Sequence, residues 1–169
     1  MKKTTVRCAV AVLTLFLAAL PLAAQSGAWT AVGSTGSIDE ASLGIYAVGT
    51  TNLLHQTGAV GTVVSRFNVT NTYGGGITDA PPWTTLELTY FDIDPASSVS
   101  ATLFRVNRCS NVASVVCAVT SVDSTNVTCV TCTFPAGTIN FGANNYVVEV
   151  RVSRTATNTS AQLFGLRIF

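Results

Sequence analysis

The stretch Tyr146-Val147-Val148-Glu149-Val150-Arg151-Val152-Ser153 decides the fold. Successive side chains of an extended strand point to opposite faces. Tyr146, Val148, Val150 and Val152 therefore line one face, and Val147, Glu149, Arg151 and Ser153 the other. One face is wholly apolar and the other carries charge, as in a strand with a core on one side and water on the other. The same period of two recurs along the chain. Val63, Ser65, Phe67 and Val69 alternate with Thr62, Val64, Arg66, Asn68 and Thr70, and Leu86, Leu88 and Tyr90 with Thr85, Glu87 and Thr89. Val99, Ala101, Leu103 and Arg105 interleave with Ser100, Thr102, Phe104 and Val106. Phe164, Leu166 and Ile168 do so with Leu163, Gly165 and Arg167. Shorter candidate strands cover 43–48, 115–122 and 127–134. Turn formers separate the runs: Gly74-Gly75-Gly76, Pro81-Pro82, Asp94-Pro95, Asp123 to Asn126, Pro135 to Gly137 and Asn144-Asn145. The pattern predicts an all-β, antiparallel β-sandwich of jelly-roll or immunoglobulin-like type with roughly eight strands.

The first residues have a different character. Lys2, Lys3 and Arg7 precede an uncharged apolar run from Ala9 to Leu20, broken only by Thr14, and Pro21 and the small pair Ala23-Ala24 follow. That order reads as a secretory signal peptide over 1–24, cleaved after Ala24 and preceding one β-sandwich domain over 25–169. The apolar run of about a dozen residues is short of the roughly 20 needed to cross a bilayer. Export through the Sec pathway is thus expected, ending in the periplasm, at the cell surface or outside the cell. Residues 25–169 contain six arginines, eight acidic residues and no lysine, a net charge of −2. That balance offers no basic patch for nucleic acid or anionic lipid, and it excludes both as partners. Charged residues make up 10% of the chain, against ~25% in ordinary soluble domains, so Thr, Ser, Asn and Gly carry the solubility.

Cys8 leaves with the signal peptide, and Cys109, Cys117, Cys129 and Cys132 remain. An even number in an exported chain predicts two disulfides. The favoured pairing is Cys109–Cys117 with Cys129–Cys132. The first bridge closes a short loop, but the second needs a turn or bulge. Residues three apart in a straight strand lie about 10 Å apart on opposite faces, beyond the roughly 7 Å a disulfide spans. A tight turn at Ser124-Thr125 gives the alternative, Cys117 opposite Cys132 and Cys109 with Cys129. A redox role for Cys129-Val-Thr-Cys132 would require a helix N-terminus, whereas its surroundings are β-like. The Cys109/Cys117 spacing does not suit a zinc knuckle.

Few residues qualify for chemistry. His55 is the lone histidine, no nucleophile elbow accompanies it, and it reads as a surface residue. Asp92 and Asp94, at a strand end before Pro95, are candidate calcium ligands, although Asp before Pro also initiates turns. Glu87 and Glu149 read as cross-strand partners of Arg151 or Arg66 and not as a glycosidase pair. Trp83, after Pro81-Pro82, and Tyr90 are the candidate ligand-binding aromatics, able to stack on sugar if exposed; packing is the competing role. No cofactor is implied.

Trp83-Thr-Thr-Leu-Glu-Leu-Thr-Tyr-Phe-Asp92 with Ser98-Val-Ser-Ala-Thr-Leu103 resembles small exported bacterial β-sandwich proteins that carry no assigned activity. The resemblance implies no catalytic residues. The expected function is that of a secreted or envelope-associated, non-enzymatic β-sandwich acting through its surface on a protein or glycan partner. The alternatives are a fibre or pilus subunit assembling by strand exchange, to which the final strand would contribute, and a small outer-membrane barrel ending on Phe169.

Overall fold

In the computed structural model, which describes residues 27–76 and 78–169, eleven strands form two antiparallel sheets packed face to face. They are β1 (Trp29–Val32), β2 (Ser37–Ile38), β3 (Tyr46–Val48), β4 (Leu53–His55), β5 (Gly61–Val69) and β6 (Thr85–Asp92). β7 (Ser97–Asn107), β8 (Ala113–Thr120), β9 (Ser124–Thr133), β10 (Asn144–Arg154) and β11 (Ala161–Ile168) complete the set. The signal-peptide segment 1–24 lies outside the described residues. One sheet runs β3-β4-β11-β6-β9, with β1 sharing one side of β11 with β4; the other runs β2-β5-β10-β7-β8.

The expected sandwich is therefore present, with eleven strands in place of about eight. The additional β1, β2 and β4 are two to four residues long, too short for an alternation to register in sequence. The outer-membrane barrel is corrected: the sheets keep separate edges, and the space between them is filled by Leu, Val, Ile and aromatic side chains, where a porin-like barrel has a polar lumen.

β10 occupies the centre of its sheet, in register with β5 from Tyr146↔Val69 and with β7 from Asn144↔Asn107. Its inward row, Tyr146, Val148, Val150 and Val152, is completely buried, as the alternation requires. β11 is likewise central, between β6 on one side and β1 and β4 on the other. It is paired on both sides within its own sheet. A bulge at Phe164 shifts its register and puts Leu163 in the core with Leu166 and Ile168, where a uniform alternation had placed Phe164. Gly33 permits the tight crossing from β1 toward β2, since a Cβ there would come within 2.3 Å of the Leu163 carbonyl oxygen.

The disulfide pairing also differs from the favoured one. Cys117 on β8 bonds to Cys132 on β9, with 6.1 Å between Cα atoms, while Cys109 and Cys129 are free and exposed. The reason is the facing of the strands. Cys132 turns inward from one sheet toward Cys117 in the other, whereas Cys129, three residues away on the same straight strand, turns outward. Cys129 and Cys132 thus cannot meet.

Candidate functional site

The residues singled out by sequence are mostly structural. Trp83 and Tyr90 are buried, at 3% and 2% exposure, which corrects their expected role as exposed stacking surfaces. The Tyr90 hydroxyl donates to the Val122 carbonyl (3.0 Å), and Trp83 Nε1 donates to the Gly27 carbonyl (3.1 Å). Asp92 and Asp94, the candidate calcium ligands, are both engaged in internal hydrogen bonds. Buried Asp92 accepts hydrogen bonds from Ser97 Oγ (2.6 Å) and Ser121 Oγ (2.5 Å), one on each carboxylate oxygen. It is a strut tying β6 to the start of β7 and the end of β8. Asp94 Oδ1 accepts from the Ala96 N–H (2.8 Å) and closes the turn around Pro95. Among the described residues no three His, Cys, Asp or Glu side chains cluster as metal ligands would.

His55 is buried, not on the surface. Its Nε2 donates to the Gly61 carbonyl at 3.0 Å, and Nδ1 has no partner. Burial holds its pKa below the ordinary histidine value; the Gly61 carbonyl opposes this and the nearby Arg154 cation reinforces it. Glu87 stands on β6 and Glu149 on β10, in different sheets, so they do not converge. Glu149 instead pairs with Arg66 (3.0 Å) and Arg151 (2.8 Å), and Arg66 also reaches Asp39 (2.6 Å). The Arg66 guanidinium, with the Ala41 N–H, holds the Asp39 carboxyl below its usual range. This network lies on the outward face of the β2-β5-β10-β7-β8 sheet.

The structure assembles a different site at one end of that sheet. A cleft of about 550 Å³ is lined by the end of β5 (Asn68 to Thr70), Asn71, Asp79, Arg108, Phe141, Gly142 and Asn145. Four separate chain segments build it, and local hydrogen bonds fix each one. Asn71 Nδ2 donates to the Thr78 carbonyl (2.6 Å) and its Oδ1 accepts from the Tyr73 N–H, bracing the loop that carries Asp79. The Phe141 N–H donates to the Asp79 carbonyl at 2.6 Å. Asn140 Oδ1 gathers the N–H groups of Gly142 and Ala143, and the Asn140 N–H donates to the Tyr146 hydroxyl at 2.8 Å. Phe141 packs edge-on against Trp83 and Tyr146, with centroids 6.1 Å and 5.2 Å away. Trp83 thus supports the aromatic wall of the cleft from within the core.

Arg108 Nε donates to Asn145 Oδ1 (3.3 Å). Among the described residues, neither Arg108 nor Asp79 enters an ion pair, though both line this cleft. Gly142 leaves room for the carboxylate: a Cβ there would lie 3.0 Å from Asp79 Oδ2 and 3.1 Å from Asn140 Oδ1. A second cleft of about 460 Å³, lined by β1, Ser37, Arg66 and Phe67, adjoins the first through shared Asn68. Sequence reading missed the site because its members come from strand ends and loops far apart in the chain. The turn signal at Gly74–Gly76 marks one of those loops, and Asn144-Asn145 opens β10 directly after another.

No family model matches this chain, and no curated protein matches it. Solved structures show likeness at low identity. A xylan-binding module is 12% identical over 84% of this chain and 95% of its own, with a TM-score of 0.47. The K1 cleaved adhesin domain of Lys-gingipain from Porphyromonas gingivalis W83 is 12% identical over 85% of this chain and 98% of its own, at 0.45. A family 11 carbohydrate-binding module from Clostridium thermocellum, in complex with a β-1,3-1,4-mixed-linked tetrasaccharide, is 9% identical over 85% and 87%, at 0.41. With TM-scores below 0.5, these likenesses do not bear on what this chain binds.

Proposed function

We propose that residues 25–169 are exported after removal of 1–24 and form a non-enzymatic binding module whose cleft between the ends of β5 and β10 takes a glycan. One observation carries the reading: Arg108 and Asp79 line the same cleft as Asn68, Asn145 and Phe141, and among the described residues neither has an ion-pair partner. Small-molecule sites combine a few placed polar groups with an apolar wall. Here the polar groups are amides, a guanidinium and a carboxylate, which between them donate to and accept from hydroxyls. The apolar side is the small exposed part of the Phe141 ring, which otherwise belongs to the core. A neutral polyhydroxylated ligand matches a cleft whose one cation and one anion offset each other. The Cys117–Cys132 bridge fits an oxidising compartment.

The test is a glycan array followed by calorimetric titration of the best binder. A hydrogen bond to a charged group contributes about 1.5–3 kcal/mol, so Arg108→Ala is expected to weaken binding roughly tenfold or more. Thr102→Ala, on the outward sheet face, is expected to bind as the parent does. The reading fails if no glycan binds, or if Arg108→Ala binds as tightly as the parent.

A further inference from the structure

The sandwich ends on one flank in two long edge strands, β8 and β9, each paired on one side only. Exposed edges are templates for further pairing, and folded proteins blunt them with bulges, charges, proline or brevity. β2, β3 and β1 are short. β8 is bulged, since Leu103 faces Cys117 while Phe104 faces Val115, leaving Val116 unmatched. β9 has none of these protections over its second half. From Thr128 to Thr133 it runs in unbroken register with Thr85 to Tyr90, and Ser124–Thr133 contains no charged residue and no proline. It is also the one long strand among the described residues with no fully buried position. Thr128, Val130 and Cys132 are half-buried, and Val127, Cys129 and Thr131 face solvent.

We propose that β9 pairs antiparallel with β9 of a second copy, centred on Cys129, joining two six-stranded sheets across a two-fold axis. The occupant is argued from charge and from self-complementarity. A two-fold axis sets a strand against its own reverse, so any charge near the axis meets its own sign; this strand carries none. Centred on Cys129, the outward row sets Val127 against Thr131 of the copy, Cys129 against its counterpart, and Thr131 against Val127. The inward row sets Thr128 against Val130. β-Branched residues directly opposite one another stabilise a ladder. Directly opposed positions also place Cβ atoms about 4.5–5.5 Å apart, close enough for the two Cys129 thiols to report the register.

The full chain purified from its expressing cells is the material for the test. Sedimentation velocity is expected to show a dimer, and Thr131→Lys a monomer with the same far-UV spectrum and a dimer fraction at least tenfold lower. Val127→Lys is read in the same way, so that the result does not depend on one variant folding. Copper–phenanthroline is expected to cross-link the parent and Cys109→Ser into covalent dimers, two thiols giving two protons and two electrons to the oxidant, but not Cys129→Ser. The proposal is overturned by a monomeric parent, by an assembly larger than a dimer, by a dimer that survives both lysine variants, or by a cross-link that runs through Cys109.

Discussion

The two flanks of the sandwich are built in opposite ways. On one, β2, β3 and β4 are two or three residues long, yet Leu53 is fully buried, Ser42 is at 0% and His55 at 5%. On the other, β8 and β9 run for eight and ten residues, yet their most buried side chains are Cys117 and Val119, at 9% and 8%. Regular pairing and burial are therefore separate properties. The short flank is closed by loops tied down by internal hydrogen bonds. The Arg154 guanidinium, itself buried, donates to the carbonyls of Ala59, Gln56 and Thr159, and Ser42 Oγ accepts from the Val64 N–H. The long flank has its backbone ladder on one side, a single disulfide between its sheets, and an open edge.

If that contrast is right, apolar truncation hurts the short flank most. Leu53→Ala removes a fully buried side chain from a three-residue strand and is expected to cost about 3–5 kcal/mol, in the range of buried leucine truncations. Val115→Ala, exposed on the longer β8, is expected to change stability by less than about 0.5 kcal/mol, as surface substitutions do. Urea unfolding of the two variants, compared at equal protein concentration, measures both. Equal losses would erase the distinction between the flanks.

The disulfide comes next. Cys117 and Cys132 are 15 residues apart, and closing a loop of that length restrains the unfolded chain by about 3 kcal/mol. Cys117→Ser with Cys132→Ser should lower stability by about that amount under oxidising conditions and make unfolding insensitive to reductant. Cys109→Ser with Cys129→Ser should leave the reductant response intact. A reversal of these two results would mean that the free and bonded pairs had been exchanged.

The same contrast explains what could be read in the sequence. The long strands β5, β6, β7 and β10 were legible because each repeats apolar and polar residues enough times to define a face. The short flank was not, because Leu53-Leu54-His55 shows no alternation and its burial is imposed by the Arg154-anchored loops around it. His55 was misplaced on the surface for that reason. The cysteines divided the same way. Their number and oxidising context were readable, whereas the partner of Cys117 depended on which sheets β8 and β9 join. The cleft was least legible, since Asn68, Asp79, Arg108 and Asn145 share no local pattern and meet only because β5, β7 and β10 lie side by side. Aromatic residues near turns drew attention to Trp83, which reaches the cleft only through Phe141.

The smallest effect probes whether the short flank is as closed as its burial states. His55 Nε2 donates to the Gly61 carbonyl, so Nδ1 carries the lone pair, and it has no partner. A proton added there would create a buried N–H with no acceptor, close to the Arg154 cation. Desolvation, first, and that cation lower the folded-state pKa below 6.5, with the Gly61 carbonyl opposing them. The unfolded chain then binds the proton more readily than the folded one, and stability rises with pH across that interval. The contribution is complete above about pH 6.5, the ordinary histidine value, and is lost as pH falls through the lowered folded value. Asp39, whose carboxyl is held down by Arg66, loses its contribution only below its own unperturbed value of 3.8, so the two transitions separate. Unfolding free energies between pH 7.5 and pH 5 should therefore fall for the parent and stay flatter for His55→Asn. A parent as flat as the variant would place His55 in solvent, and the short flank would then be as open as β9.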